Sequence, residues 1–369
     1  MGVRSTLALI PRPASQASMT ADNPEPLRPD DDQPVRLEPG LPPEIASPLA
    51  PFAGAEPERP AWFVDALAKK PERTLVPVKG ANIELLTWGK VGDPGLILVH
   101  GNSAHADWWS FIAPFFADTY RVAAISLSGM GGSDWRPAYS FDVFGEEIHD
   151  CAIAAGLYEA PVLPIYIGHS FGGALVFHTA VRHPEWMRAA LLVDTGFGGP
   201  PTQEEMDRVD AEDRAAGRTP RRWGGPPRMG GANRVYRTLE AALTRFRFMP
   251  PQVPGNLYIA DFIARNSLKR APMPDGSGEG WTWKFDPELW AKLDRTGMMP
   301  LSGADGAPMA HIYGDRSAII TRHKEMGRGL DMIPASAPRV ALPDSEHHVM
   351  VDQPLALVAA MRAMLATWP

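Results

Sequence analysis

Apolar residues in the middle of the chain fall in short continuous runs separated by amphipathic stretches. Leu96-Ile97-Leu98-Val99, Val122-Ala123-Ala124-Ile125, Ile165-Tyr166-Ile167 and Ala189-Ala190-Leu191-Leu192-Val193 each have the length and composition of a strand buried on both faces. Ahead of them, residues 74–78 and 83–88 alternate like strands around Lys79-Gly80-Ala81-Asn82, a hairpin pattern. Helical stretches are predicted between the runs at 107–112, 141–155 and 171–183. This alternation predicts an α/β fold: a mostly parallel, doubly wound sheet entered through an antiparallel hairpin.

The alternation stops near residue 195. Residues 195–308 are polar and rich in Pro and Gly, with helices expected over 203–217, 233–248, 257–269 and 286–297. They read as a helical cap inserted into the sheet. The sheet pattern resumes at 309–313, with a helix near 322–330, a strand at 339–342 and a closing helix over 354–367. Residues 1–60 are proline-rich and acidic and are expected to be extended or disordered. After them, Trp62 and Leu67 of a short amphipathic segment are expected to dock onto the core. The expected organisation is a tail at 1–60, a core made of 61–194 and 309–369, and a cap at 195–308.

Composition narrows the partners. A formal charge of −7 over 369 residues argues against a nucleic-acid or anionic-membrane surface. Cys151 is the only cysteine, so no disulfide framework or thiolate metal site is available. No apolar run has the length of a membrane span, and the run Leu7-Ala8-Leu9-Ile10 is too short for a secretory segment. A cytoplasmic protein acting on a small molecule is expected, with the oligomeric state left open.

The candidate chemistry centres on Gly168-His169-Ser170-Phe171-Gly172. A serine on a sharp strand-to-helix turn needs neighbours without side chains, and the helix that follows aims its N-terminal amides at the turn. Taken in order, four motifs resemble those of the α/β-hydrolase superfamily over residues 74–369. They are His100-Gly101-Asn102, Gly129-Met130-Gly131-Gly132-Ser133-Asp134, the Ser170 elbow, and His347 seven residues before Pro354. The resemblance implies an α/β-hydrolase fold with Ser170 as nucleophile and His347 as its base. It also implies an oxyanion hole formed by the Asn102 and Phe171 N–H groups. His348 competes with His347 but lacks the seven-residue spacing.

The carboxylate is where the chain departs from the family's commonest pattern. The usual position, three residues past Gly314, holds Ser317. Asp194, 24 residues after Ser170, is preferred, with Asp315 as the alternative.

The resemblance implies a serine hydrolase cleaving a small to medium, largely apolar ester or lactone. Carbon–carbon or amide hydrolysis on the same scaffold, and a ligand-binding protein with little turnover, are the competing readings. Haloalkane dehalogenases and epoxide hydrolases share the scaffold but use an aspartate nucleophile. No cofactor and no metal are expected: the histidines lack metal-ligand spacing along the chain, and the Gly129 loop lacks the rest of a dinucleotide fingerprint.

Overall fold

The computed structural model describes residues 41–196, 203–215, 232–294, 306–325 and 333–368. At its centre is an eight-stranded sheet: β1 (Glu72–Val78), β2 (Ala81–Trp88), β3 (Gly95–Val99), β4 (Arg121–Ser126), β5 (Ile165–His169), β6 (Ala189–Val193), β7 (Met309–Gly314) and β8 (Arg339–Leu342). Their spatial order is β1-β2-β4-β3-β5-β6-β7-β8. β2 alone runs opposite to the other seven strands. The β1–β2 turn places Lys79 and Gly80 at φ of 43° and 81°, the primed geometry that suits the twist of a two-residue hairpin.

The apolar runs make strands because alternate residues serve opposite faces. Leu96, Leu98, Ile165, Ile167, Leu191 and Val193 join one hydrophobic cluster, whereas Ile97, Val99, Tyr166 and Leu192 join the other. Helices Phe141–Ala154 and Phe171–Arg182 cover the second face, and helix Pro354–Leu365 covers the first. Helix Phe141–Ala154 begins where the Ser140 hydroxyl accepts the Val143 N–H at 3.1 Å. Cys151 lies within its buried face. The Gly129–Ser133 loop is latched onto β2. Glu84 accepts the Ser126 hydroxyl at 2.6 Å and the Gly132 N–H at 2.9 Å, and Ser133 Oγ accepts the Glu84 N–H at 2.8 Å.

The segment between β6 and β7 differs from its expected all-helical form. Helices Gln203–Ala215 and Leu257–Asn266 are present, but the helix expected over 233–248 shrinks to Leu239–Thr244. Of that expected over 286–297 the described part, 286–294, is helical only at Leu289–Lys292; residues 216–217 and 295–297 lie outside the described residues. After Asn266 the chain forms an antiparallel ribbon, Leu268–Pro272 against Glu279–Trp283. The β-favouring Trp281-Thr282-Trp283 and a turn with Gly276 and Gly278 at positive φ explain the ribbon. Leu293 and Asp294 then pair in parallel with Tyr139 and Ser140, and Phe285 bridges to Met130. Part of the expected helix near 322–330 lies outside the described residues; the helix seen there is Ala318–Glu325.

Residues 1–40 of the expected tail also lie outside the described residues. Residues 41–60 are not simply extended: Pro43–Ala46 and Ala50–Phe52 form helical turns, and Leu49 is buried in the first cluster. Helix Ala61–Ala68 packs Trp62 and Leu67 partly, but its deepest residue is Phe63. The Phe63 ring meets Tyr258 at 5.0 Å, Phe111 at 5.5 Å and Phe262 at 5.7 Å. It therefore joins the N-terminal helix, the core and helix Leu257–Asn266. Among the described residues, no helix is long and apolar enough to cross a membrane. Replacing Phe63 with Ala should lower the unfolding free energy by about 3–5 kcal/mol in urea titrations, the cost of emptying such a site. A shift below about 1 kcal/mol would mean the ring is not the keystone its contacts imply.

Candidate active site

β5 runs through the middle of the sheet and ends at His169. Ser170 then adopts φ 54°, ψ −118°, a conformation that side chains avoid, and helix Phe171–Arg182 begins at once. The Ser170 N–H donates to the Val193 carbonyl at 2.9 Å, and its carbonyl accepts the Ala174 N–H at 3.0 Å. A Cβ on Gly168 would overlap the Gly172 backbone, and one on Gly172 would overlap the His100 carbonyl. Both glycines are required by close approach. The Phe171 ring turns into the core against Phe141, Phe144 and Trp290. What Phe171 offers at the turn is its amide, one of the unbonded donors of a helix N-terminus.

The loop after β8 brings His347 to the serine. His347 Nε2 lies 2.9 Å from Ser170 Oγ, and His347 Nδ1 lies 2.7 Å from Asp194 Oδ1. Asp194, directly after β6, is fully buried. It also accepts the Ser317 hydroxyl on Oδ1 at 2.6 Å and the Gly314 N–H on Oδ2 at 2.7 Å. Ser317, three residues past Gly314, is thus a donor to the carboxylate that follows the neighbouring strand. Asp315 is turned elsewhere and accepts the Ser345 N–H at 3.2 Å. His348 does not reach Ser170; its ring packs on Phe248 at 4.9 Å and Trp108 at 5.4 Å. Ser170, His347 and Asp194 therefore come together, and Asp315 and His348 stay outside the relay. Chemically, the relay can draw a proton from the serine hydroxyl and hold it on an imidazole paired with a carboxylate.

The His100–Asn102 loop passes close beside the serine: a Cβ on Gly101 would lie 3.2 Å from Ser170 Cβ. His100 Nε2 accepts the Leu127 N–H at 3.0 Å, so Nδ1 carries the proton and donates to the Gly101 carbonyl at 2.7 Å. Because the peptide is planar and trans, this fixes the Asn102 N–H in the opposite direction.

One group of supporting residues has no local sequence signal. Buried Gln252 accepts the His348 N–H at 2.9 Å and donates to Asp352 at 3.0 Å, while Asp352 accepts the Glu346 N–H at 2.8 Å. Asn256 donates to the Val351 carbonyl at 2.8 Å. The histidine loop is thereby clamped to the segment above the sheet.

The family model described as "Alpha/beta hydrolase family" matches residues 96–361. The chain belongs to the alpha/beta hydrolase family. It is 29% identical over 102 residues to a pimeloyl-[acyl-carrier protein] methyl ester esterase of Klebsiella pneumoniae, covering 28% of this chain and 37% of that protein. It is 32% identical over 108 residues to bifunctional epoxide hydrolase 2 of Sus scrofa, covering 28% of this chain and 19% of that one. The chain thus spans well under half the length of these curated relatives. In fold it is similar to E-2-(acetamidomethylene)succinate hydrolase, with a TM-score of 0.59, 16% identity, and coverage of 80% of this chain and 99% of that one.

This alpha/beta hydrolase buries eight of its ten histidines. Burial pushes His100 down to about 3, His105 to about 4 and His311 to about 3, and holds His169 and His348 well below the ordinary value. A base whose folded value is depressed takes up protons more readily when unfolded. Its contribution is therefore complete above the unfolded value near 6.5 and is lost as pH falls toward the folded value. Stability should fall below about pH 6.5 by roughly 1.4 kcal/mol per pH unit for each such histidine. Urea midpoints measured at stepwise lower pH test this; a midpoint unchanged between about pH 7.5 and about pH 5 would contradict it.

Proposed function

We propose that this protein is a serine hydrolase cleaving a small to medium, largely apolar carboxylic ester or lactone through an acyl-enzyme. The observation that carries this reading is the unbroken relay from Ser170 Oγ through His347 to Asp194, with contacts of 2.9 and 2.7 Å. Ser170 Oγ attacks the carbonyl carbon while His347 Nε2 takes its proton. The imidazolium that forms is stabilised by Asp194, whose other contacts hold it in orientation. The tetrahedral oxyanion is received by the N–H groups of Phe171 and Asn102, and losing either donor would cost on the order of 10² to 10³ in rate. His347 returns the proton to the leaving alcohol, then draws one from a water that attacks the acyl-enzyme, restoring Ser170.

The apolar preference is supported by Trp108 and Phe248, buried aromatic side chains beside the histidine loop. Ser170 separates this reading from the epoxide-hydrolase relatives. A serine that opened an epoxide would form an alkyl ether, and water does not cleave one under these conditions.

A fluorophosphonate probe should label the protein at Ser170, and p-nitrophenyl esters should be turned over with an initial burst. Ser170→Ala should lose both. Asp194→Asn should lower kcat by about 10⁴, as expected when the imidazole loses its tautomer-fixing partner. Asp315→Asn should stay close to wild type. Near-normal turnover in Asp194→Asn, or no labelling of folded wild type, would overturn the assignment. A panel of esters, lactones, amides and diketones then separates ester hydrolysis from its alternatives.

A further inference from the structure

Folding brings a third imidazole to the histidine pair at 347–348. One ring nitrogen from each of His169, His347 and His348 lies within 4.8 Å of the others. The ring centroids are 4.9 Å apart for His169–His347, 4.8 Å for His347–His348 and 5.6 Å for His169–His348. All three side chains are buried. The expectation of no metal site rested on spacing along the chain, and this cluster joins residues far apart in sequence.

The outer nitrogens are arranged as in metal-binding imidazoles, whose second nitrogen is held by a carboxylate or a backbone carbonyl. His347 Nδ1 is held by Asp194 at 2.7 Å, and His169 Nε2 donates to the His347 carbonyl at 3.0 Å. That leaves the lone pairs of His347 Nε2 and His169 Nδ1. His169 Nδ1 has no hydrogen-bond partner, and the missing side chain at Gly101 leaves it uncovered: a Cβ there would lie 3.1 Å away. Neither nitrogen of His348 closes a hydrogen bond, although the Met249 carbonyl is nearby. Buried polar atoms without partners are rare enough to require a cause.

Three imidazoles suit a borderline ion such as Zn²⁺ or Cu²⁺ and not the oxygen-seeking Mg²⁺ or Ca²⁺. Metal–nitrogen bonds of about 2.0–2.1 Å put tetrahedral ligand atoms roughly 3.4 Å apart, so the cluster, with its atoms within 4.8 Å of one another, has to contract by up to about 1.4 Å. His348, whose ring no hydrogen bond restrains, is the member able to move. We propose that His169, His347 and His348 bind one Zn²⁺ or Cu²⁺ ion, and that the bound ion reversibly silences Ser170. Coordination takes the His347 Nε2 lone pair, which is the base for the serine proton; the serine keeps its proton and nothing is oxidised or reduced. The silencing half of the proposal rests on the serine-hydrolase reading, and the binding half does not.

The test uses full-length, metal-stripped Ser170→Ala protein titrated with Cu²⁺ in a non-coordinating buffer and followed by electron paramagnetic resonance. One ion per chain with three imidazole nitrogens is expected. Fewer than three nitrogens overturns the site without any change having been made to its ligands. Adding His348→Phe should weaken affinity by at least the 10–100-fold that loss of an outer-shell partner costs. His183→Ala, which removes a half-exposed histidine stacked on Trp186, should leave affinity unchanged. Unchanged affinity in His348→Phe overturns the assignment. In wild type, Zn²⁺ should abolish p-nitrophenyl butyrate hydrolysis and EDTA should restore it. Full activity at saturating metal overturns the silencing half. Absence of ester turnover in the metal-free wild type removes the hydrolase reading and leaves the copper result standing.

Discussion

A carboxylate taken out of water has to be given donors, and the rest of this structure is arranged around supplying them to Asp194. Three arrive: the His347 ring, the Ser317 hydroxyl and the Gly314 N–H. They come from the ends of two strands, β7 and β8, so their convergence on Asp194 depends on the register of β6, β7 and β8. That register sets Val193 opposite Ile312 and Gly314 opposite Leu342. Slippage by one residue would send every side chain of a strand to the wrong face. A charge left buried and unpaired costs several kcal/mol, so sheet register and relay geometry are one constraint.

The same constraint explains why β7 ends without a carboxylate facing His347. Two acids at this spot would repel, and one would be driven to the protonated state. With Asp194 supplied by β6, the β7 position is better filled by a hydroxyl that donates, and Ser317 is such a group. Asp194 follows β6, and the position three residues past Gly314 holds a residue of complementary hydrogen-bonding sense.

Much of the sheet was legible in the sequence because a strand buried on both faces must be apolar throughout, as in 96–99 and 189–193. Ser170 and its flanking glycines were legible because their requirement is local: a backbone that comes too close for side chains. The choice between Asp194 and Asp315 was not, since the direction of a side chain just past a strand depends on which neighbour captures its backbone. At Asp315 the N–H is taken by the Leu342 carbonyl. The segment above the sheet was least legible. Its ribbon and its shortened helices are decided by distant partners, such as Gln252 against Asp352, and no periodicity encodes those. The clustering of His169 with His347 and His348 is hidden for the same reason.

Among the described residues, that upper segment has no interior of its own. Leu243, Phe246, Phe248, Ile259 and Ile263 belong to the same hydrophobic cluster as Trp109, Phe111 and Leu49. A roof built this way cannot be exchanged between relatives as a cassette, because its underside and the floor beneath it are one packed body. Substitutions in 239–268 therefore have to be answered by substitutions in 49–63 and 104–116.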